Sequence, residues 1–245
     1  MPAGPGWPPR SWRQPAPAEG PPNRPGYDAA VEPSTRADLS RTWALVPIRG
    51  LETAKTRLGE DLDPEERVDL VTNLLRRTLV ATRDARRIAG TVVVTMDPDA
   101  AGIAHELRAI GLVERAPGLN GAIEAARSVA VARGATAVLV LPADLPAVSA
   151  AALDELIHAA AERGQGTTRL AVAIPDRHGL GTNALLIAPP DAIDPAFGEA
   201  SRAAHAARAA AAGAVWLELD GPLALDLDTP ADLLDAEAAI GSLRG

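Results

Sequence analysis

The chain has 245 residues, a formal net charge of −8 at pH 7 and no cysteine, a length that holds one large domain or two small ones. Alanine supplies 52 residues, only six residues are aromatic, and 23 of the 24 basic residues are arginine, so Lys55 is the sole lysine. These counts exclude a disulfide framework, a thiolate nucleophile and Cys-ligated metal. No apolar run approaches the ~18 residues of a membrane span, and an acidic chain with few aromatics lacks the basic face and stacking platforms of a nucleic-acid binder.

Residues 1–40 hold 10 of the 22 prolines, Trp7 and Trp12, and four positive against four negative charges. Such a stretch cannot bury enough apolar surface to offset the entropy of ordering it, so a disordered Pro-rich tail is expected ahead of one domain, 41–245. The two tryptophans would suit a docking motif, but a plain unstructured extension is the preferred reading. The tail lacks a charged segment followed by an apolar one, so no secretory signal is read and a cytoplasmic location is expected. Because the tail is neutral, the domain carries the whole negative balance. An anionic substrate would therefore need a metal ion or locally placed cations.

The domain opens with an apolar run at 43–48, of the kind that makes a strand covered on both faces. A helix is predicted next, with Asp63 as N-cap, Pro64 at the first helical position and Glu66 completing a capping box. Val68, Val71, Leu75 and Leu79 mark one face of it. There follow a strand at 91–95, helices at 98–110 and 119–133, a strand at 137–141 and a helix at 150–163. Strands at 170–174 and 184–188, a helix at 201–212, a strand at 214–219 and a helix at 230–240 complete the chain. This alternation predicts an α/β fold, a three-layer α/β/α sandwich around a mostly parallel sheet.

In open α/β sheets ligands bind beyond the carboxyl ends of the strands, which directs attention to the loops that follow the apolar runs. After the first run, Arg49, Lys55 and Arg57 place three cations within nine residues. They suit a loop that wraps a phosphate chain, and equally an ordinary solvated loop; the spacing matches neither a Walker nor a Rossmann motif. A chain that otherwise uses arginine keeps a compact, flexible point charge at Lys55. After the run at 137–141, Asp144 stands between Pro142 and Pro146, well placed to hold Mg²⁺ or to make an Asp-x-Pro turn. Near the end, Asp226 and Asp228 share one face of an extended segment, while Thr229, Pro230 and Asp232 also read as a helix start. Gly179 and Gly181 precede Thr182 and Asn183, allowing close backbone approach with a hydroxyl and an amide as donors. Phe197, Gly198 and Ser201 lead into the helix carrying His205. Ser201 fits an N-cap, and the same helix start suits a phosphate or carboxylate. His105 and His158 read as surface residues; His178 and His205 are better placed but read as structural.

In sequence order these residues resemble the guanylyltransferases of coenzyme F420 biosynthesis, which belong to the MobA-like nucleotidyltransferase fold (nucleotide-diphospho-sugar transferase type). The likeness runs over about 43–235. It is carried by Val46 and Pro47 with Ala54, Lys55, Thr56, Arg57 and Leu58, then by Leu119, Asn120 and Ala122, and by Pro142 to Pro146. It continues through Asp176 and Arg177 with Gly181, Thr182 and Asn183, through Phe197, Gly198, Ser201 and His205, and through Asp226 to Pro230. Arg49, where the family often has lysine, and Thr56, where it often has serine, depart mildly, and the tail lies outside the likeness.

The resemblance implies that Arg49, Lys55, Leu119 and Asn120 bind GTP, with Lys55, Arg57 and Asp144 catalytic. It implies Mg²⁺ on Asp144, Asp226 and Asp228, and an acceptor pocket of Thr182, Gly198 and Ser201. The expected reaction transfers GMP to a three-carbon phospho-acid and releases pyrophosphate. Phosphoenolpyruvate is the first choice of acceptor and 2-phospho-L-lactate the second, on the slender ground that an Ala/Arg-rich chain suits a high-GC genome. No nucleic-acid or membrane partner is expected, and a homodimer is allowed but specified by no residue pattern. The alternatives are another MobA-like transferase, acting on a molybdenum cofactor or sugar phosphate, and a nucleotide-binding regulatory module without turnover.

Overall fold

Strand β1 (Thr42–Pro47) is buried almost throughout, as an uninterrupted apolar run requires. Its alternate residues serve two cores: Trp43 and Leu45 face one side of the sheet, Val46 the other. The structure, a computed structural model, describes residues 35–55, 62–115, 118–241 and 243. Most of the expected tail therefore lies outside the described residues, as do Thr56 and Arg57. Of the part that is described, Ala37 and Leu39 pack against the core.

Helix α1 (Pro64–Asp84) begins where its signals place it. Asp63 accepts from the amides of Glu65 and Glu66, Glu66 returns a bond to the Asp63 amide, and Pro64 occupies the first turn. β2 (Ile88–Thr95), α2 (Pro98–Glu106) and β3 (Ile110–Val113) follow. Here the sequence reading needs correction, because the helix expected at 98–110 ends at Glu106. Arg108 takes a left-handed conformation, with φ of 66°, and turns the chain into a four-residue edge strand. β3 is apolar, Ile-Gly-Leu-Val, but only four residues long and at best partly buried, too short a run to stand apart from the helical pattern before it. Gly111 lets it lie close on α2, since a Cβ there would stand 2.5 Å from the Ala101 carbonyl oxygen.

The remaining elements are α3 (Gly118–Ala132), β4 (Ala137–Val140), α4 (Ala150–Arg163), β5 (Leu170–Pro175), β6 (Thr182–Ala188), α5 (Ser201–Ala211), β7 (Val215–Glu218), a 3₁₀ turn at Pro222–Ala224 and α6 (Pro230–Ile240). One seven-stranded sheet has the order β3-β2-β1-β4-β6-β5-β7. Only β6 runs antiparallel to its neighbours. The six residues between β5 and β6 are too few for a crossover helix, so the pair closes as a hairpin. α1, α2 and α4 cover one face of the sheet, α3 and α5 the other. α6 packs on α1 through Leu70, Leu74, Leu227 and Leu233. The architecture is thus the expected three-layer α/β sandwich with a mostly parallel sheet. No helix of the described residues is long and apolar enough to cross a membrane.

This topology decides where a ligand can bind. From β1 the chain winds outward through β2 to β3, whereas β4 lies on the opposite side of β1. The switch point therefore falls between β1 and β4, and at such a point the connections diverge and leave a crevice beyond the strand ends. The loop with Lys55 and the loop with Asp144 leave those two strands.

Candidate active site

The loop after β1 is held from its neighbour. Asp97, after β2, accepts from the Leu51 amide at 2.9 Å with one oxygen and caps α2 at Asp99 with the other. Further along the loop, Lys55 has a φ of 56°, in the left-handed region. A non-glycine residue there costs of order 1 kcal/mol or more and needs its surroundings to hold it. Two carboxylates do so: Lys55 Nζ lies 2.6 Å from Asp144 Oδ2 and 2.8 Å from Asp228 Oδ1. The Lys55 side chain is only 10% exposed and Asp144 31%. Burial works to lower the Lys55 pKa, but Asp144 and Asp228 outweigh it and raise the value above that of a free lysine, so the ammonium is charged at any physiological pH.

Asp226 stands half-buried nearby. Burial first, and the negative charges of Asp228 and Asp144 after it, raise its pKa above the usual carboxylate range. Among the described residues no group of three or more His, Cys, Asp or Glu side chains stands together as a ready-made metal cage. The structure thus brings Asp144 and Asp228 together around Lys55 and leaves Asp226 within electrostatic reach.

Two cavities open at this edge of the sheet. One of about 620 Å³ is lined by Arg49, Lys55, Leu119, Asp144 and Asp228 among others. The second, of about 940 Å³, lies over the ends of β1 and β2. Pro47, Ile48, Arg49 and Leu119 line both, so the two spaces adjoin. Arg49 is exposed in the cleft. Asn120, one residue beyond Leu119, points its function elsewhere: its amide donates to the Phe197 carbonyl at 2.9 Å and accepts from the Phe197 amide at 2.8 Å.

Thr182, Gly198 and Ser201 form a second group at the starts of β6 and α5, and they line neither cavity. His205 organises it. The buried imidazole accepts from the Ala196 amide at Nε2, 2.8 Å, so Nδ1 carries the proton and donates to Thr182 Oγ1 at 3.1 Å. Burial, and secondarily Arg208, push its pKa down to about 4. The Thr182 hydroxyl accepts this bond, which leaves its own proton to donate onward. Phe197 packs edge-on against the same ring. Ser201 is not the N-cap. That position is Ala200, in a left-handed conformation and with no side-chain hydrogen bond, and Ser201 is the buried first residue of α5. Asn183 donates to the carbonyls of Leu223 and Ala224 and is no ligand donor. His105, His158 and His178 are exposed.

The family model described as "Guanylyl transferase CofC like" matches residues 42–238. The chain belongs to this family. It is 43% identical to a phosphoenolpyruvate guanylyltransferase of Sphaerobacter thermophilus over 82% of its own length and 96% of that protein. It is 41% identical to one of Rubrobacter xylanophilus, over 81% and 95%. Among solved structures, a protein of Desulfovibrio desulfuricans described as a nucleotide-diphospho-sugar transferase superposes with a TM-score of 0.61 at 16% identity, covering 78% of this chain and 83% of that one. That likeness establishes the nucleotide-diphospho-sugar transferase type of fold. As a member of the family the chain is a guanylyltransferase, and its activity requires a nucleotide and a phospho-acid.

Sequence reasoning identified Lys55 from its uniqueness and the aspartates from their place after strands. It missed Asp97, which holds the Lys55 loop and in sequence looks like an ordinary helix-start residue.

Proposed function

We propose that the domain at 41–245 is a cytoplasmic, Mg²⁺-dependent enzyme that transfers GMP from GTP to phosphoenolpyruvate, releasing pyrophosphate and yielding enolpyruvoyl-2-diphospho-5'-guanosine for coenzyme F420 biosynthesis. The observation that carries the reading is Lys55, the sole lysine, buried between Asp144 and Asp228 at the switch point of a guanylyltransferase fold. Relatives at 43% and 41% identity that are named for phosphoenolpyruvate favour that acceptor over 2-phospho-L-lactate.

An oxygen of the acceptor phosphate attacks the α-phosphorus of GTP. A new P–O bond forms there as the bond to the pyrophosphate oxygen breaks. A phosphate monoester has a second pKa near ~6 and is mostly dianionic at pH 7, so the nucleophile needs no general base. This agrees with a site in which the buried histidine is neutral and fully engaged. The obstacle is the approach of two anions and the charge that builds on the leaving group. Lys55 supplies a permanent positive charge against it, and Arg49, which lines the same cavity, a second; Arg57, two residues on in the sequence, would add a third. Asp144, Asp226 and Asp228 would hold Mg²⁺: they are hard oxygen donors, and Asp144 and Asp228 already converge on one cation, the Lys55 ammonium. The ion, when bound, neutralises phosphate charge and aligns the triphosphate.

Leu119 would lie along the nucleoside, with Asn120 acting through Phe197. On the acceptor side, the first turn of α5 has no side-chain cap and Gly198 leaves open space where a Cβ would stand; Thr182 and Ser201 would supply hydroxyl donors. These are features of an anion seat. The test is pyrophosphate release from GTP and Mg²⁺ with a panel of three-carbon phospho-acids. Release is expected with phosphoenolpyruvate, and absence of release with every acceptor would refute the reading.

A further inference from the structure

Two side chains of the β5–β6 hairpin grip the segment that leads into α6, and Asp226 and Asp228 lie between the grips. At one end Asn183, buried on β6, donates to the Leu223 and Ala224 carbonyls at 3.1 and 3.0 Å. At the other end Arg177, in the hairpin loop, forms an ion pair with Asp232 Oδ1. Asp232 is 1% exposed, and its Oδ2 accepts from the amides of Asp228 at 2.9 Å and Thr229 at 2.7 Å. An ordinary capping box returns one bond to the N-cap amide. Here the same oxygen also takes the amide of Asp228, one residue earlier. The backbone from which Asp228 reaches Lys55 is thereby fixed by a buried acid, and the charge of that acid is balanced from the hairpin. The hairpin loop is set in turn by Asp176, which accepts from the amides of Leu180 and Gly181. A Cβ at position 181 would stand 2.6 Å from the Asp176 carboxylate.

We infer that Arg177 and Asn183 are positioning residues, through which the hairpin sets where the Asp226 and Asp228 carboxylates stand relative to Lys55 and Asp144. The meaning of those carboxylates for turnover rests on the function proposed above; the grip itself does not. Asp228 is half-exposed at its carboxylate and meets Lys55 there, so the course of its backbone bears directly on where that carboxylate stands. A misplacement of about 1 Å in a reacting constellation costs up to about a hundredfold in rate. Thr182, of the acceptor group, is the residue before Asn183, so the strand that leads from the acceptor side also carries one of the two grips.

Arg177→Gln and Asn183→Ala, made in the full chain, test the inference with two readouts. Amide hydrogen exchange at Asp228 and Thr229 is expected to quicken about tenfold or more in Arg177→Gln, with the amides of β1 and β4 unchanged. In pyrophosphate release, kcat is expected to fall about tenfold in each variant while KM for the acceptor stays within about twofold; Arg177→Lys, which keeps the charge, should recover most of the loss. Unchanged exchange would overturn the grip. Faster exchange with unaltered kcat would overturn the positioning role and leave Asp232 a helix cap only. If the unmodified protein shows no turnover with any acceptor, the functional reading fails, and the exchange result alone decides whether the hairpin fixes Asp228.

Discussion

Acidification should unload a defined amount of stability through His205. In the folded chain the ring is buried, accepts from the Ala196 amide and bonds Thr182, and burial lowers its pKa from 6.5 to about 4. Above pH 6.5 the ring is neutral in both folded and unfolded chains, and its contribution is fully present. Between 6.5 and about 4 the unfolded chain binds a proton that the native chain refuses, so stability falls as pH falls. Below about 4 both states are protonated and the loss is complete. At 1.36 kcal/mol per pH unit this interval is worth about 3 kcal/mol, a large part of the 5–15 kcal/mol typical of a domain. The assay is urea unfolding of the protein and of His205→Gln in steps from pH 7.5 to 4. Differencing the two cancels the other titrating groups, Asp226 included. The stability advantage of the native histidine should shrink by about 3 kcal/mol over that range, and NMR of the four histidines should show one that stays neutral below pH 5. A pH-independent difference between the two proteins would refute the argument, because it would mean the ring titrates alike in both states.

Asp144→Asn should cut turnover at least about a hundredfold, equivalent to ~3 kcal/mol of transition-state stabilisation, with the far-UV spectrum and cooperative unfolding retained; full activity in that variant would remove Asp144 from the site. Lys55→Arg keeps the charge but places a planar fork where a compact ammonium meets two carboxylates, so kcat should fall about tenfold or more; an unaffected rate would make Lys55 a mere loop charge. Asp63→Ala removes both cap bonds of α1 and should cost about 1 kcal/mol in urea unfolding without changing KM. Gly90→Ala would put a Cβ 2.7 Å from the Trp43 ring, and a loss of about 1–3 kcal/mol is expected from the displaced indole.

What could be read from the sequence follows the range over which each feature is determined. The buried strands, the α1 capping box and the α6 start at Thr229 are local, and each lies where its residues place it. β3 escaped because its apolar run of four residues, one of them glycine, is too short to stand apart from the helix before it, and its boundary is set by one left-handed residue, Arg108. The antiparallel sense of β6 was implicit in the shortness of the loop before it. Within the candidate site, Lys55 and Asp144 were legible because uniqueness and rigid placement are properties of the sequence itself. Asn120 and Asn183 were not: an amide beside a glycine-rich loop looks like a ligand donor, and only partners 77 and 40 residues away reveal that these two bind backbone. The N-cap at Ala200 was hidden by Ser201, a far better capping residue that the chain instead buries.

The isolation of Lys55 has a practical consequence. As the only lysine, it is the only side-chain primary amine the protein presents to acylating or aldehyde reagents, and between two carboxylates it is held protonated and hence nearly inert toward them. Anything that draws Asp144 and Asp228 away from it, such as a metal ion taking their oxygens, would free the amine to react. The mass shift of one peptide would then report on occupancy of the cleft, in a protein that needs no engineered label.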